Sequence, residues 1–380
     1  MSAGDAVMDA IARAPEPAAA RLATPAAWDP DADDALVCRA VREETHDVRT
    51  FVFSSLTPRR FAHRPGQFLT FAFEIGGQTI NRCYTISSAP TTPDTVAITV
   101  KRVAGGPVSN WLHDRMRPGS VVHAMGPMGA FSCFEHPAPK YLLLSGGSGV
   151  TPMMAMARTF HDLAEPRDVA FVHSARTPAD IVFRAELELM ARRDASFRFA
   201  AICETDSPSE RWHGFRGRLG LPALELIAPD FREREIFVCG PAPYMAAVRA
   251  MLAGAGFDMA RHHEESFDFD ALSAEQAEPV ILAEAELDAA PTVRTFRVAF
   301  ARSGRTIDCA EDVTVLSAAR KAGVRLPSSC AKGMCGTCKS KLVSGSVEMA
   351  HAGGIRQREI DAGLALLCCS RPKSDLVVDR

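Results

Sequence analysis

The chain has 380 residues, of which 47% are hydrophobic and 23% are charged, and its formal net charge is −3. This length predicts two or three domains, and the composition is that of a soluble globular protein. The apolar runs are far shorter than the roughly 20 residues that cross a bilayer, and the net charge gives no indication of nucleic-acid binding. We therefore expect neither a membrane nor a nucleic acid as partner.

The first 33 residues are rich in Ala and Pro and are expected to form a disordered arm. They lack a basic segment followed by an apolar block and carry Asp5, Asp9 and Glu16, a composition that argues against secretory or organellar targeting. Most of the eleven cysteines are scattered singly, which indicates buried reduced thiols and not a disulfide scaffold. These features favour a cytoplasmic protein.

Residues 34–136 contain short stretches typical of strands, among them ALVCRAV, RTFVFSS, QFLTFAF and RCYTISS. A Gly76-Gly77 turn joins the third of these stretches to the fourth. The spacing predicts a small antiparallel barrel.

The stretch RCYTISSAP, residues 82–90, resembles the RxYS/T signature of the ferredoxin reductase family. The resemblance implies that Arg82 contacts a flavin phosphate, that Tyr84 packs on the isoalloxazine, and that the hydroxyl of Thr85 lies near flavin N5. Without the resemblance, the same residues read as a strand with an exposed Arg and a buried Tyr.

Residues 100–114, VKRVAGGPVSNWLHD, place Gly105 and Gly106 before a helix that starts near Ser109. A helix N-terminus with free amides and a partial positive charge can seat a pyrophosphate. This favours FAD over FMN, which has a single phosphate. We expect Lys101 and Ser109 to contribute to cofactor binding.

The segment KYLLLSGGSGVTPMMAMARTF, residues 140–160, predicts an apolar strand, a Gly-rich turn and a helix. Parallel sheets bind dinucleotides at such turns, although GGSGVTP is not the GxGxxG fingerprint. The segment resembles the nicotinamide domain of the ferredoxin reductase family. The resemblance implies contacts with the nucleotide from Gly146, Gly147, Gly149 and Thr151.

Two later motifs resemble the hydride-transfer elements of this family. In the family a Cys-Gly-Pro turn lies beside the nicotinamide, which implies that role for Cys239, Gly240 and Pro241, although a lone Cys at a strand end is usually a packing residue. The stretch HHEESFDF resembles the closing ExF/Y element, which implies that Glu265 lies near the transfer site and Phe267 against the flavin. Thr85, Cys239 and Glu265 are thus the expected catalytic residues.

Ser174 and Arg176, in HSARTPADIVF, are expected where the adenosine ribose lies. An Arg can hold a 2′-phosphate, but members of the family that use NADH also carry an Arg here. We favour NADH and leave NADPH open.

A change in charge marks the boundary of a further module. Residues 264–291 contain nine acidic residues and no Lys or Arg, whereas residues 292–380 contain fifteen Lys or Arg and eight Asp or Glu. This pattern predicts an acidic linker and then a basic module, and the basic module predicts an acidic docking patch on the partner protein.

Cys330, Cys335 and Cys338 form CxxxxCxxC, the plant-type spacing for a 2Fe-2S cluster. Gly333 and Gly336 let the loop turn tightly and direct amides toward sulfur. Zinc is the main alternative, but structural zinc sites usually have a second CxxC-like knuckle, which is missing here. Unligated thiols are a further alternative.

The fourth ligand comes from a Cys-Cys pair, whose adjacent side chains point to opposite faces. The module resembles plant-type ferredoxins, in which the last ligand precedes a proline by four residues; this implies Cys368, with Pro372, and makes Cys369 a neighbouring thiol. A hairpin at Ser303-Gly304 and a helix closed by Gly323 agree with a β-grasp fold.

These elements predict a multidomain reductase in which a hydride from NADH passes to FAD, and electrons then pass singly through 2Fe-2S to an outside acceptor. The expected segments are a disordered arm at 1–33, an antiparallel β-barrel FAD domain at 34–136, an α/β parallel-sheet nicotinamide domain at 137–267, an acidic linker at 268–290, and an α+β β-grasp ferredoxin domain at 291–380.

The domain order resembles that of reductase components of bacterial Rieske oxygenases acting on quaternary amines, such as the glycine betaine and stachydrine demethylase systems. The resemblance implies a terminal oxygenase as partner. The reductases of hybrid-cluster protein and of phenylacetyl-CoA epoxidase share the domain order and stay as alternatives. A redox sensor that binds both cofactors, and a peroxide-forming flavin oxidase that would not need the cluster, are alternatives of another class.

Overall fold

The computed structural model of the chain describes residues 24–30, 33–164, 167–265, 294–324 and 338–380, together with 326, 333 and 336. The expected linker, most of the expected arm, Phe267, Cys330 and Cys335 lie outside the described residues. No described helix has both the length and the apolar character needed to cross a membrane.

The first domain is a six-stranded antiparallel sheet with the order β4-β3-β6-β1-β2-β5. Alternate residues of its strands, such as Phe51, Phe53 and Phe71, are fully buried, as expected where one face of each strand lines a core. The predicted turn at Gly76 and Gly77 joins β3 to β4, and both glycines have positive φ. The elements are β1 (Ala35–Thr45), β2 (Val48–Ser55), β3 (Phe68–Ile75), β4 (Gln78–Thr85), β5 (Val96–Lys101), α1 (Pro107–Arg115) and β6 (Val121–Met128).

The end of the expected arm belongs to this domain. Trp28 is 5% exposed, packs on Phe61 with ring centroids 5.0 Å apart, and donates its indole N–H to the carbonyl of Gly126 (2.8 Å). Ala27 also forms a bridge with Arg60. This stretch is held on the domain by one buried aromatic ring, and the residues that contact this ring are far away in the sequence.

The second domain is a parallel sheet with the order β10-β9-β8-β7-β11-β12, in which all five neighbouring pairs are parallel. Its central strands are apolar on both faces, because helices cover the sheet on each side. The elements are β7 (Lys140–Gly146), α2 (Val150–Leu163), β8 (Asp168–Ala175), α3 (Arg184–Arg193), β9 (Phe197–Cys203), β10 (Phe215–Arg216), α4 (Leu221–Ile227), β11 (Glu235–Cys239), α5 (Ala242–Gly254) and β12 (His262–Glu265).

The third domain, called the ferredoxin module below, comprises the described residues from 294 onward. Its five-stranded sheet has the order β14-β13-β19-β15-β17, and β16 pairs with β18. The predicted hairpin and helix are present, and the Thr314 side chain caps the helix by accepting the amide of Ser317 (3.4 Å). The elements are β13 (Thr295–Phe300), β14 (Arg305–Ala310), α6 (Val315–Lys321), β15 (Lys339–Ser344), β16 (Val347–Met349), α7 (Gln357–Asp361), β17 (Leu364–Leu366), β18 (Ser370–Pro372) and β19 (Leu376–Val378).

A buried arginine joins three strands of the parallel sheet at their amino ends. Arg234 is 0% exposed and donates to the backbone carbonyls of Tyr141 (3.0 Å) and Asp168 (3.1 Å). It also binds the carboxylates of Asp168 (2.9 Å) and Asp230 (2.8 Å). Burial opposes ionisation of Asp230, but hydrogen bonds from Arg234 and Lys140 outweigh it and lower the pKa of that carboxyl to about 2.

We expect Arg234→Ala to destabilise the protein by about 3 kcal/mol, because a buried network of charges and carbonyls loses its common donor. Calorimetric unfolding of the full chain measures this. Arg198→Ala is the matched control, since Arg198 binds the same Asp168 (3.1 Å) from a position that is 42% exposed. An exposed pair of this kind contributes about 0–1 kcal/mol. Equal losses in the two variants would contradict the role given to Arg234.

Candidate functional site

The residues expected to bind flavin lie on β4. Tyr84 packs edge-on against Phe71, with ring centroids 6.1 Å apart, and against Phe73, at 6.5 Å. Phe73 in turn contacts Trp111 of α1 at 5.5 Å, so that Tyr84 and the helix share an aromatic neighbour. Burial raises the pKa of the Tyr84 phenol, which therefore stays protonated. Thr85, at the end of the strand, is 5% exposed.

Arg82 offers a cation on the same strand. Its guanidinium donates to the carbonyl of Asn81 (2.8 Å) and forms no ion pair with a carboxylate of the described part of the chain. A guanidinium with several donors still available suits a phosphate group.

The N-terminus of α1 provides amide donors. No side chain caps the helix, Pro107 occupies its first turn, and that turn contains no acidic residue. The Ser109 hydroxyl stabilises the preceding loop, since it accepts a hydrogen bond from the amide of Val103 (3.2 Å). A Cβ on Gly106 would lie 2.7 Å from this hydroxyl. Free amides, an available guanidinium and a buried tyrosine together fit a flavin dinucleotide.

A cavity of about 410 Å³ opens between the first two domains. Lys101 and Val48 line it on the barrel side. On the side of the parallel sheet, it is lined by residues predicted near the nicotinamide and by residues predicted near the adenosine ribose. The predicted residues in its wall are Lys101, Gly146, Gly147, Ser174, Arg176 and Pro241. Sequence reasoning missed Tyr244, Glu204 and Arg218, which also line the cavity. No motif singled them out.

Gly149 and Cys239 lie beneath the cavity and are not part of its lining. A Cβ on Gly149 would overlap the carbonyl of Cys239, so only glycine allows the Gly-rich turn to pack on the Cys-Gly-Pro turn. Thr151 is buried and donates to the carbonyl of Ser148 (3.2 Å). Gly240 leaves room for the ring of Tyr244, which a Cβ there would meet at 2.7 Å. These residues shape the turn on which a nucleotide would rest.

Glu265 ends β12 directly beside Cys239, its partner in the parallel register of β11 and β12. Its carboxyl oxygen Oε2 is buried and has no hydrogen-bond partner among the described residues. Burial raises the pKa of Glu265 to about 8, so the carboxyl is largely protonated at neutral pH. Burial and the nearby Glu265 also raise the pKa of the Cys239 thiol. The ends of β11 and β12 therefore carry two neutral groups side by side.

Charged side chains of both signs lie at the other end of the cavity. Arg176 lies 3.8 Å from Asp180, and Arg218 lies 3.8 Å from Glu204. A carboxylate at this position can accept a ribose hydroxyl but repels a phosphate.

The ferredoxin module brings two of the four predicted ligands together. Cys338 and Cys368 are 3% and 7% exposed, and their thiols share a hydrogen bond. The amide of Gly333 donates to Sγ of Cys368 (3.3 Å), a contact that suits an anionic sulfur. Cys369 is half-buried and directs its thiol to the carbonyl of Leu366 (3.6 Å). The donor set and the N–H···S contact fit an iron-sulfur cluster.

Gly336, two residues before Cys338, meets the barrel at the strand that is predicted to bind flavin. The side-chain amide of Asn81, adjacent to Arg82, donates to the carbonyl of Gly336 (3.3 Å). A Cβ on Gly353 would lie 3.2 Å from Sδ of Met128, at the end of β6. The cysteine pair and the residues predicted to bind flavin therefore belong to surfaces that contact each other.

Three family models match the chain in succession. They describe an oxidoreductase FAD-binding domain at 36–133, an oxidoreductase NAD-binding domain at 143–250 and a 2Fe-2S iron-sulfur cluster binding domain at 298–373. These matches confirm the predicted FAD, nicotinamide and 2Fe-2S cofactors and favour the cluster over zinc.

The solved structure of phthalate dioxygenase reductase, described as a modular structure for electron transfer from pyridine nucleotides to [2Fe-2S], has a TM-score of 0.55 with 23% identity. The match covers 93% of this chain and 100% of that chain. At this identity the likeness shows the fold, and it confirms the predicted three-part architecture.

Two curated relatives align over almost the whole chain. The glycine betaine monooxygenase reductase subunit of Pseudomonas aeruginosa is 48% identical over 351 residues, covering 90% of this chain and 94% of the relative. The stachydrine N-demethylase reductase subunit of Rhizobium meliloti is 42% identical over 337 residues, covering 89% and 94%. The chain therefore belongs to the family of FAD-, NAD- and 2Fe-2S-binding oxygenase reductases that includes these two subunits.

Proposed function

We propose that the chain is the NADH-dependent reductase component of a Rieske oxygenase that demethylates a quaternary amine. Electron transfer to an oxygenase follows from the family. The quaternary amine is inferred from the glycine betaine and stachydrine named for the two relatives. The preference for NADH, the Rieske type of the partner and a cytoplasmic location are further parts of the proposal.

The observation that carries the proposal is the continuity of the three sites. The nucleotide cavity lies between the barrel and the parallel sheet, the residues proposed to bind flavin lie on β4 of that barrel, and Asn81 of the same strand touches Gly336 of the proposed cluster loop. A stepwise electron carrier requires contacts of this kind. A protein that only senses redox state has no need of a group through which electrons leave.

The bound groups supply the redox chemistry: FAD accepts a hydride from reduced nicotinamide and releases two electrons singly, and the 2Fe-2S cluster accepts one at a time. The residues of this chain bind and orient them. Arg82 and the amides of α1 would hold the anionic phosphates, and the protonated Tyr84 would pack against the flavin ring. Gly149 lets the nucleotide turn approach Cys239 closely, and the buried strand ends exclude water from the transfer site.

The carboxyl of Glu265 controls the charge at that site. With its raised pKa it is neutral below about pH 8, and so it adds no negative charge where the hydride passes. Ionisation at higher pH would place an uncompensated carboxylate beside Cys239, in surroundings that screen charge poorly.

The proposed ligands of the cluster are Cys330, Cys335, Cys338 and Cys368. Cys368 is preferred to Cys369 because its sulfur accepts the Gly333 amide (3.3 Å) and contacts Cys338, although the Cys369 thiol lies beside both Cys368 and Gly333.

NADH is preferred to NADPH because Glu204 and Asp180 line the cavity around Arg176. A 2′-phosphate bound there would lie close to two carboxylates, whereas a ribose hydroxyl could donate to one of them.

The test is an anaerobic titration of the purified holoprotein with NADH, followed by its visible spectrum. We expect the flavin and cluster bands to bleach together, and a higher kcat/KM for NADH than for NADPH. Addition of the oxygenase component of a glycine betaine monooxygenase should then give formaldehyde from glycine betaine. Bleaching of the flavin alone would contradict the electron path, and a coupled path without formaldehyde would contradict the proposed substrate class.

The identity of the fourth ligand can be tested with the adjacent cysteines. We expect Cys368→Ser to lose most of the cluster, because a hydroxyl is a poor ligand for iron in this setting. The matched control, Cys369→Ser, should keep it. Iron and sulfide content together with the visible spectrum measure the outcome. Retention of the cluster in Cys368→Ser, with loss in Cys369→Ser, would reverse the assignment.

The role of Glu265 can be tested through pH. We expect the rate of flavin reduction by NADH to fall as the pH rises through about 8, by up to about tenfold per pH unit, as the carboxyl ionises. Glu265→Gln is permanently neutral and should remove this fall. The control is Glu264→Gln, an exposed neighbour paired with Arg249. The same pH profile in Glu265→Gln and wild type would exclude Glu265 as the titrating group.

A further inference from the structure

One arginine of the ferredoxin module extends into the barrel. Arg356 is 8% exposed, and its Nη2 donates to the backbone carbonyls of Asp33 (3.2 Å) and Ala124 (3.2 Å). Its Nη1 lies 3.7 Å from the carboxylate of Asp34. All three of these acceptors belong to the barrel or to the segment that packs on it. The guanidinium therefore joins parts of the chain that are more than 200 residues apart.

Within the ferredoxin module, Arg356 contributes its backbone amide to the start of α7. The backbone amide of Arg356 donates to the carboxylate of Glu359 (2.8 Å), which caps α7 and also binds Lys339 (2.6 Å). A substitution of the Arg356 side chain preserves these local contacts. Loss of the guanidinium removes contacts at the surface between the two domains.

That surface lies beside the path from flavin to cluster. Ala124 belongs to β6, and a Cβ on Gly336 would lie 3.8 Å from the methyl group of Met125, the next residue of the strand. Asn81 contacts Gly336 from β4. A cavity of about 180 Å³ remains between the domains, lined from both sides. Because the surfaces are not closely packed there, directional polar contacts have to fix their relative position.

We propose that Arg356 is a positioning residue that docks the ferredoxin module on the barrel and thereby sets the rate of electron transfer from FAD to the cluster. The inference rests on the proposed electron path. Each transfer oxidises the reduced flavin by one electron and reduces the cluster by one, so two transfers follow each NADH. Arg356 touches neither reacting group; it holds the two surfaces together while each electron passes.

The chemistry of the side chain suits this role. A guanidinium has several donors in a fixed plane and can serve two carbonyls and a carboxylate at once, which the single ammonium of lysine does less well. Arg358 binds the same Asp34 (3.5 Å) but is half-exposed, so its ion pair is screened by solvent. Arg356 and Arg358 thus form a natural pair of test and control.

The experiment uses the full-length holoprotein in anaerobic stopped flow with NADH. The flavin and cluster bands separate flavin reduction from the later reduction of the cluster, and small-angle scattering gives the radius of gyration. For Arg356→Ala we expect cluster reduction to slow by about tenfold or more, with flavin reduction unchanged and a larger radius. Arg356→Lys should lie between wild type and Arg356→Ala, and Arg358→Ala should resemble wild type.

A second variant tests the contact from the barrel side. Asp34→Arg leaves the ferredoxin module unchanged and places two like charges against each other, so we expect it to slow cluster reduction without loss of iron. If Arg356→Ala fails to assemble its cluster, Asp34→Arg still tests whether the contact between the two domains sets the rate of cluster reduction.

Wild-type cluster reduction in both Arg356→Ala and Asp34→Arg would overturn the inference, as would slower transfer without any change in radius. A wild-type protein that reduces its flavin but never its cluster would instead contradict the proposed function.

Discussion

The flavin has to lie within reach of two partners at once, because a nicotinamide delivers a pair of electrons as hydride and an iron-sulfur cluster takes only one. The residues that we propose for both contacts lie on a single strand, β4. Thr85 at its end is the residue expected near the hydride, and Asn81, four residues earlier, touches the cluster loop. At the rise of a β-strand these positions are about 13 Å apart, so the proposed entry and exit lie on one short segment of the sheet.

Both flanking domains are attached to the barrel by an arginine that binds backbone carbonyls. Arg158 of α2 donates to the carbonyl of Ser87 (2.6 Å) and is held by both carboxylate oxygens of Glu186. Arg356 does the same from the other side with Asp33 and Ala124. Arg158 is also held within its own domain by Glu186. Both contacts join a side chain of one domain to the backbone of the barrel or of the segment that packs on it.

The cofactors could be predicted from sequence because the motifs that indicate them are local. Cys330, Cys335 and Cys338 lie within nine positions, and RCYT and CGP are short runs of adjacent residues. The residues that sequence reasoning missed act over long separations. Trp28 bonds to Gly126 and Arg234 to Tyr141, in each case about a hundred residues away, and Tyr244 enters the cavity only because α5 follows the Cys-Gly-Pro turn. No local pattern distinguishes such residues from other buried or charged side chains.

The contact of Arg356 with Asp33 and Ala124 joins positions 323 and 232 residues apart. During synthesis, both acceptors emerge from the ribosome long before the arginine, by which time the two nucleotide-binding domains are complete. Domains of a growing chain fold in order from the amino end. Docking of the ferredoxin module therefore follows the folding of both nucleotide-binding domains, and until then the acceptors at Asp33 and Ala124 wait without their arginine.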